Sequence, residues 1–137
     1  MALFVVINMT HDFVMVRIQA LNPDVEEEVT LDVDGRVVVG FASNRPALNV
    51  GDSRKVELKL FTATDYGLTP SSSDSVPSLT RVGTGFGYRI VGTLVEQGVS
   101  VGLVTLQDES LPTDFAYLMG EKVSLMADRI GVRFSKA

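Results

Sequence analysis

Apolar and polar side chains alternate along several short segments of the chain. In residues 28–33, Val29, Leu31 and Val33 share one face and the polar side chains share the other. Such alternation indicates a half-buried β-strand. Comparable segments lie at 13–21, 36–42, 55–62, 88–96, 99–106, 122–128 and 130–134, and a shorter apolar run lies at 3–7. In two of these segments the residues expected to face inward are Val56, Leu58 and Leu60, and Ile130, Val132 and Phe134. The pattern predicts an all-β protein, either a small barrel or a two-sheet sandwich, of about eight strands.

Residues 87–107 form the clearest predicted hairpin. Gln97-Gly98 is expected to be its two-residue turn, which would place Leu94 opposite Val101. Gly92 and Gly102 then lie at matching heights within valine-rich strands. Glycines inside strands are destabilising unless the sheet bends or another backbone comes close, so they predict a curved sheet, as in a small barrel.

A second hairpin is predicted around Asp34-Gly35. A three-residue loop over Val33–Gly35 with a β-bulge sets Leu31 against Val37, whereas a two-residue loop sets apolar against polar positions. We therefore expect the bulged hairpin, with Val37, Val39 and Phe41 on the inward face.

The two halves of the chain share an order of features: a hairpin, a proline, a glycine-acid pair and a strand. Gly51-Asp52 precedes a strand at Val56, and Gly120-Glu121 precedes a strand at Val123. Two interpretations are open. The chain contains two similar β units, or any meander of hairpins repeats glycine and proline in this way.

The predicted organisation is a single β domain over residues 1–137. Its candidate sub-units are 1–64 and 87–137, joined by a flexible loop at 65–86 that is rich in Ser, Gly, Thr and Pro. One short helix is expected near 113–119, with Thr113 as its N-cap.

Composition excludes several classes of chemistry. The 137 residues include no cysteine, which excludes disulfides, thiolate metal sites and cysteine nucleophiles. The net charge is −5, from 12 basic and 17 acidic side chains, so nucleic acid is not the expected partner. There is no signal-type N-terminal segment and no apolar run near the ~18 residues of a membrane span, and we interpret the chain as a soluble cytoplasmic protein with no membrane partner.

No catalytic set is evident in the sequence. His11 is the only histidine, and no motif of hydrolases, phosphate-binding loops or dinucleotide-binding folds is present. We therefore predict no catalytic residue, no cofactor and no metal. The alternative, a hydrolase or metal-dependent enzyme, would place Asp65, Asp108 or His11 in a cleft.

Aromatic and arginine side chains give the candidate binding residues, because this combination is common at recognition surfaces. Two of them, Arg129 and Arg133, lie on the outward face of the last predicted strand. The others flank the long loop or follow the second hairpin. The full set is Arg45, Tyr66, Phe86, Tyr88, Arg129 and Arg133.

Over residues 88–134, the order of strand, hairpin, helical turn, glycine-acid pair and strand resembles oligomer-binding (OB-type) barrels. The resemblance implies one alternative function, the binding of single-stranded nucleic acid or carbohydrate through the C-terminal half. The leading hypothesis is a non-enzymatic binding or assembly module that contacts another protein or, through exposed strand edges, a second copy of itself.

Overall fold

A computed structural model describes residues 13–136. Strands make up 51% of these residues and helices 6%, which confirms the all-β prediction. No helix in this range is long and apolar enough to cross a membrane. The elements are β1 (Val14–Leu21), β2 (Glu28–Val33), β3 (Arg36–Phe41), β4 (Ser53–Phe61), β5 (Thr69–Pro70), β6 (Ser78–Arg81), β7 (Tyr88–Val95), β8 (Gly98–Val101), β9 (Val104–Gln107), α1 (Ser110–Asp114), a 3₁₀ turn (Ala116–Leu118), β10 (Lys122–Ala127) and β11 (Arg129–Phe134).

Five strands close into a barrel. The antiparallel meander β1–β2–β3 is followed by β11, which runs parallel to β3, and then by β4, which pairs with both β11 and β1. Closure removes the free edges that an open sheet would expose. The order around the barrel is β1-β2-β3-β11-β4. It uses the N-terminal half and the last strand of the chain.

The barrel core follows the alternation in the sequence. Val29, Leu31 and Val33 are fully buried on β2, as predicted. On β4, the predicted inward residues Val56 and Leu58 are also fully buried. Burying a side chain of this size stabilises a fold by about 1.5–3 kcal/mol, so these positions anchor the strands that frame the site described below.

The chain between β4 and β11 forms a second set of strands with the same order. β7, β8 and β9 form an antiparallel meander, and β7 also pairs with β10. The chain that follows β4 lies beside the other edge of β10, where the Met126 N–H donates to the Tyr66 carbonyl at 2.9 Å and β5 pairs with β10. Lys59 of β4 forms a parallel bridge with Gln107 of β9.

Matching hydrogen bonds relate the two sets. Gly51 N–H donates to the Ile18 carbonyl at 2.8 Å, and Ile18 N–H donates to the carbonyl of Asp52 at 2.8 Å. In the second set, Gly120 N–H donates to the Leu94 carbonyl at 2.8 Å, and Leu94 N–H donates to the carbonyl of Glu121 at 3.0 Å. Both glycines have positive φ, 98° and 83°. The shared geometry favours two similar β units over a chance recurrence of glycine.

The two units exchange their fifth strand. The segment after β4 completes the second unit beside β10, whereas β11, which follows β10, completes the first barrel. The candidate division into 1–64 and 87–137 therefore does not follow the architecture. The segment 65–86, predicted to be a flexible loop, contains β5 and β6, and β6 pairs with β7 over four residues.

The bulge predicted at the β2–β3 hairpin is wrong. Val33 pairs with Arg36 across a two-residue Asp34-Gly35 turn, in which both residues have positive φ. Val38 faces the core, and Val39 on the opposite face is only 7% exposed because the second unit covers it. Burial of both faces produces a continuous apolar run, and such a run hides the alternation.

The predicted strand 99–106 is also wrong. It is a second tight hairpin, β8–β9, that turns at Gly102-Leu103, and the preceding turn lies at Glu96-Gln97 rather than at Gln97-Gly98. The helical prediction is confirmed, but α1 begins at Ser110. Asp108, rather than Thr113, accepts hydrogen bonds from the first backbone N–H groups of the helix.

Tyr88 attaches the second unit to the barrel. Its side chain is 2% exposed, and its hydroxyl accepts a hydrogen bond from Val39 N–H at 2.7 Å. Tyr88→Phe should lower the free energy of unfolding by about 1–3 kcal/mol, because it leaves a buried donor without a partner. Chemical denaturation measures the loss. Tyr117→Phe is the control, since Tyr117 is 77% exposed; equal effects of the two variants would contradict the assignment.

Candidate functional site

A groove lies where the two β units meet. Four strands run side by side there, and Gln107, Lys59, Gly131 and Phe41 are aligned across β9, β4, β11 and β3. At roughly 4.8 Å between strands, this row spans roughly 14 Å. The groove has a volume of about 1080 Å³. It is lined by Phe41, Ser43, Glu57, Lys59, Leu60, Phe61, Glu96, Gln97, Gln107, Asp108, Glu109, Ser110, Arg129, Gly131, Val132 and Arg133.

Arg129 lies against two aromatic rings in the groove. Its guanidinium carbon lies 4.3 Å from the centre of the Phe41 ring and 4.2 Å from the centre of the Phe61 ring. Phe61 is its direct cross-strand partner. Such cation–π contacts stabilise by about 0.5–2 kcal/mol. Within residues 13–136 the guanidinium makes no hydrogen bond or ion pair, so the two rings fix its plane while its N–H groups keep their capacity to donate.

Phe86 supports this arrangement from the second unit. Its ring packs edge-to-face on Phe41, with ring centres 5.2 Å apart and an interplanar angle of 83°. Edge-to-face packing is a favoured geometry for aromatic pairs. The contact holds Phe41, and through it Arg129, in place.

Glu57 and Arg133 form an ion pair in the same groove. Arg133 Nη1 lies 2.5 Å from Glu57 Oε1; the side chain of Glu57 is fully buried and that of Arg133 is 57% exposed. A buried carboxylate requires a partner of opposite charge. The charge of Arg133 is thereby offset by Glu57. Among the residues that the structure describes, Arg129 and the exposed Lys59 are the basic side chains of the groove that have no acidic partner.

A smaller cleft of about 560 Å³ lies behind the groove, between residues 60–68 and α1. The Tyr66 hydroxyl donates a hydrogen bond to Asp108 Oδ2 there, and Ser110 donates to Oδ1 of the same carboxylate at 2.6 Å. Burial, and then the Asp108 hydrogen bond and charge, raise the pKa of Tyr66. Asp108 is therefore engaged in holding the start of α1 against the chain that follows β4.

Tyr66 is expected to ionise well above its ordinary pKa of 10.0. Because the folded-state pKa is raised, the bound proton stabilises the fold below about pH 10, and this contribution is lost as pH rises above that value. An absorbance titration of tyrosinate tests this. Asp108→Asn should lower the pH at which Tyr66 ionises. Tyr117→Phe is the control that identifies the transition of the exposed tyrosine. Superimposable titration curves of the wild type and Asp108→Asn would show that Asp108 does not raise the pKa of Tyr66.

The structure brings together only part of the predicted binding set. Arg129 and Arg133 line the groove, and Phe86 reaches it through Phe41. Tyr66 lines the smaller cleft instead. Tyr88 is buried and packs the core, so its ring presents no binding surface.

Arg45, the remaining member of that set, is half-buried in the loop after β3 and has no ion pair within residues 13–136. Of the residues considered for an enzyme, Asp65 accepts a hydrogen bond from Gly67 N–H at 2.8 Å and lines the smaller cleft. His11 lies outside the described residues. Within the described residues, no group of three or more His, Cys, Asp or Glu side chains is placed to hold a metal ion.

Several residues of the site were not found from the sequence, namely Phe41, Phe61, Glu57 and the charged residues Lys59, Glu96 and Glu109. Phe41 was assigned to the core because of the wrong register at Asp34-Gly35. Phe61 ends an alternating strand without any local sign of a partner. Glu57 occupies an outward position on β4 and is buried only because the second unit and Arg133 lie over it.

Comparison with known protein families gives a match over most of the chain. The family model described as "Uncharacterised conserved protein UCP019853" matches residues 13–135, which is nearly the whole chain. No curated protein and no solved structure matches.

Proposed function

The chain belongs to this family of uncharacterised conserved proteins, and we propose that it is a non-enzymatic binding module whose groove engages a segment of a partner protein. The observation behind the proposal is the placement of the Arg129 guanidinium in the groove. The guanidinium is held flat between Phe41 and Phe61 and has no carboxylate partner within residues 13–136. Arginine and aromatic side chains are enriched among the residues that dominate binding energy at protein interfaces.

The size of the groove supports a peptide segment as the ligand. Its volume of about 1080 Å³ is slightly larger than the roughly 300–1,000 Å³ typical of small-molecule sites. A planar guanidinium recognises a carboxylate through two parallel hydrogen bonds, which fixes orientation as well as charge. Arg129 is therefore suited to a side-chain or terminal carboxylate of the partner.

The walls of the groove favour a protein over a nucleic acid. Glu96 and Glu109 line it and are exposed. Nucleic-acid sites gain most of their affinity by neutralising phosphates with basic side chains, and acidic walls oppose this. Binding of single-stranded nucleic acid or carbohydrate through the C-terminal half remains the second candidate, because the β7–β8–β9 meander with β10 keeps the strand pattern that resembles OB-type barrels. An oligonucleotide titration at low salt tests the nucleic-acid version, and no binding there removes it.

Site-specific photo-crosslinking tests the proposal. A photoreactive amino acid replaces Ser43, which is exposed within the groove, and Val50, which is 64% exposed outside it, serves as the control position. Cell lysate supplies the partner, and a second copy of the chain would be detected as a crosslinked dimer. We expect a product at Ser43 that is lost in Arg129→Ala and retained in Arg17→Ala, an exposed arginine outside the groove. An undiminished product in a folded Arg129→Ala variant would overturn the proposal.

A further inference from the structure

The groove carries charges of opposite sign on its two sides. The uncompensated basic side chains, Arg129 and Lys59, lie on the paired strands β11 and β4. The acidic side chains Glu96 and Glu109 lie on the second unit, in the β7–β8 turn and directly before α1. None of these four side chains forms an ion pair within residues 13–136. The two basic and the two acidic groups are therefore all available to bind a ligand.

The position of the acidic side is fixed by backbone contacts. Asp108 N–H donates to the Gln97 carbonyl at 2.9 Å, which joins the turn holding Glu96 to the segment holding Glu109. Arg129 is fixed at the other side by its two phenylalanines. Lys59 lies on β4, next to β9, and Arg129 lies on β11, one strand further away, so the two basic side chains stand at increasing distance from the acidic side.

We propose that the groove selects a dipolar peptide segment, one that places a carboxylate at Arg129 and Lys59 and a basic side chain at Glu96 and Glu109. This inference rests on the proposed function and narrows its ligand class. A segment with two acidic groups would place like charges together at Glu96 and Glu109, and a segment with two basic groups would do so at Arg129. Like-charge juxtaposition at an interface is strongly unfavourable, and this is the physical basis of the selection.

Synthetic peptides test the inference directly. The probes are acetylated and amidated peptides in which one Glu and one Lys are separated by a variable run of alanines, and matched peptides carry two Glu or two Lys. Binding is measured by fluorescence anisotropy on the full chain. The best mixed-charge peptide should bind at least about ten-fold more tightly than either like-charge peptide of the same length. The double variant Glu96→Gln/Glu109→Gln should shift the preference to the two-Glu peptide.

Two results would overturn the dipolar inference: equal binding of the two-Glu and mixed peptides to the wild-type chain, or no binding of any mixed peptide at millimolar concentration. The crosslinking experiment separates this failure from failure of the proposed function. A partner captured at Ser43 that requires Arg129 but is unaffected by Glu96→Gln/Glu109→Gln keeps the binding module and removes the dipolar ligand. If Arg129→Ala and Glu96→Gln/Glu109→Gln each abolish capture at Ser43, the result supports both the binding module and the dipolar ligand.

Discussion

Arg129→Ala should weaken binding of the captured partner by at least about 30-fold. A desolvated arginine at the centre of an interface commonly contributes about 2 kcal/mol or more, and every 1.4 kcal/mol is a factor of ten in affinity. Arg129 is half-buried beside the two rings, so a bound partner would remove the remaining water from the guanidinium and strengthen its hydrogen bonds to a carboxylate. Titration of the purified partner segment measures the change.

Arg129→Lys distinguishes shape from charge. Lysine keeps the positive charge but lacks the flat, forked guanidinium that fits between Phe41 and Phe61. We expect a partial recovery, with affinity on the order of five-fold below that of the wild type. Arg17→Ala should bind as the wild type does. Equal affinities for wild type, Arg129→Lys and Arg129→Ala would show that the partner does not contact this side chain.

Gly92→Ala should destabilise the fold by about 3 kcal/mol and lower the melting temperature by roughly 10 °C. A β-carbon at Gly92 would lie 2.4 Å from the Ser100 carbonyl oxygen and 2.8 Å from Val99 Cγ1. The carbonyl belongs to the paired backbone of β8, which cannot move without breaking the ladder that shapes the second unit. Thermal and denaturant unfolding of the purified variant measure the loss.

Gly85→Ala is the matched control for that prediction. A β-carbon at Gly85 meets no atom within 4 Å and the residue has no positive φ, so the variant should be within about 0.5 kcal/mol of the wild type. Gly92→Ala as stable as Gly85→Ala would show that β7 and β8 are further apart than described.

The sequence identifies strands best where one face is buried and the other meets water. Leu58 on β4 and Ile130 on β11 were assigned correctly for this reason, and the outward positions of Arg129 and Arg133 follow from the same alternation. Apolar–polar alternation does not identify the buried face of β3, because Val39 is covered by the second unit and Val38 packs in the core. When a strand is buried on both faces, its side chains are apolar on both faces. The sequence then does not show which residues face the core, so the pairing register could not be predicted from the pattern.

The site depends on contacts that no local pattern contains. Arg129 meets Phe41 and Phe61 only because β11 crosses back between β3 and β4 after the whole second unit has been formed. Alternation shows which side of its own strand Arg129 occupies, but not which strands lie beside it. The exchange of fifth strands was hidden for the same reason, since each unit alone predicts that its last strand returns to its own sheet.

The most direct measurement of the groove's role is an NMR titration of the full chain with the captured partner segment, following the Arg129 Nε–H signal and the backbone amides. If the partner binds in the groove, the Arg129 Nε–H signal should shift together with the amides of Ser43 and Glu109, which lie on opposite sides of the groove. Shifts confined to an exposed strand such as β6, with the Arg129 Nε–H signal unchanged, would place the partner at a sheet edge and contradict the account.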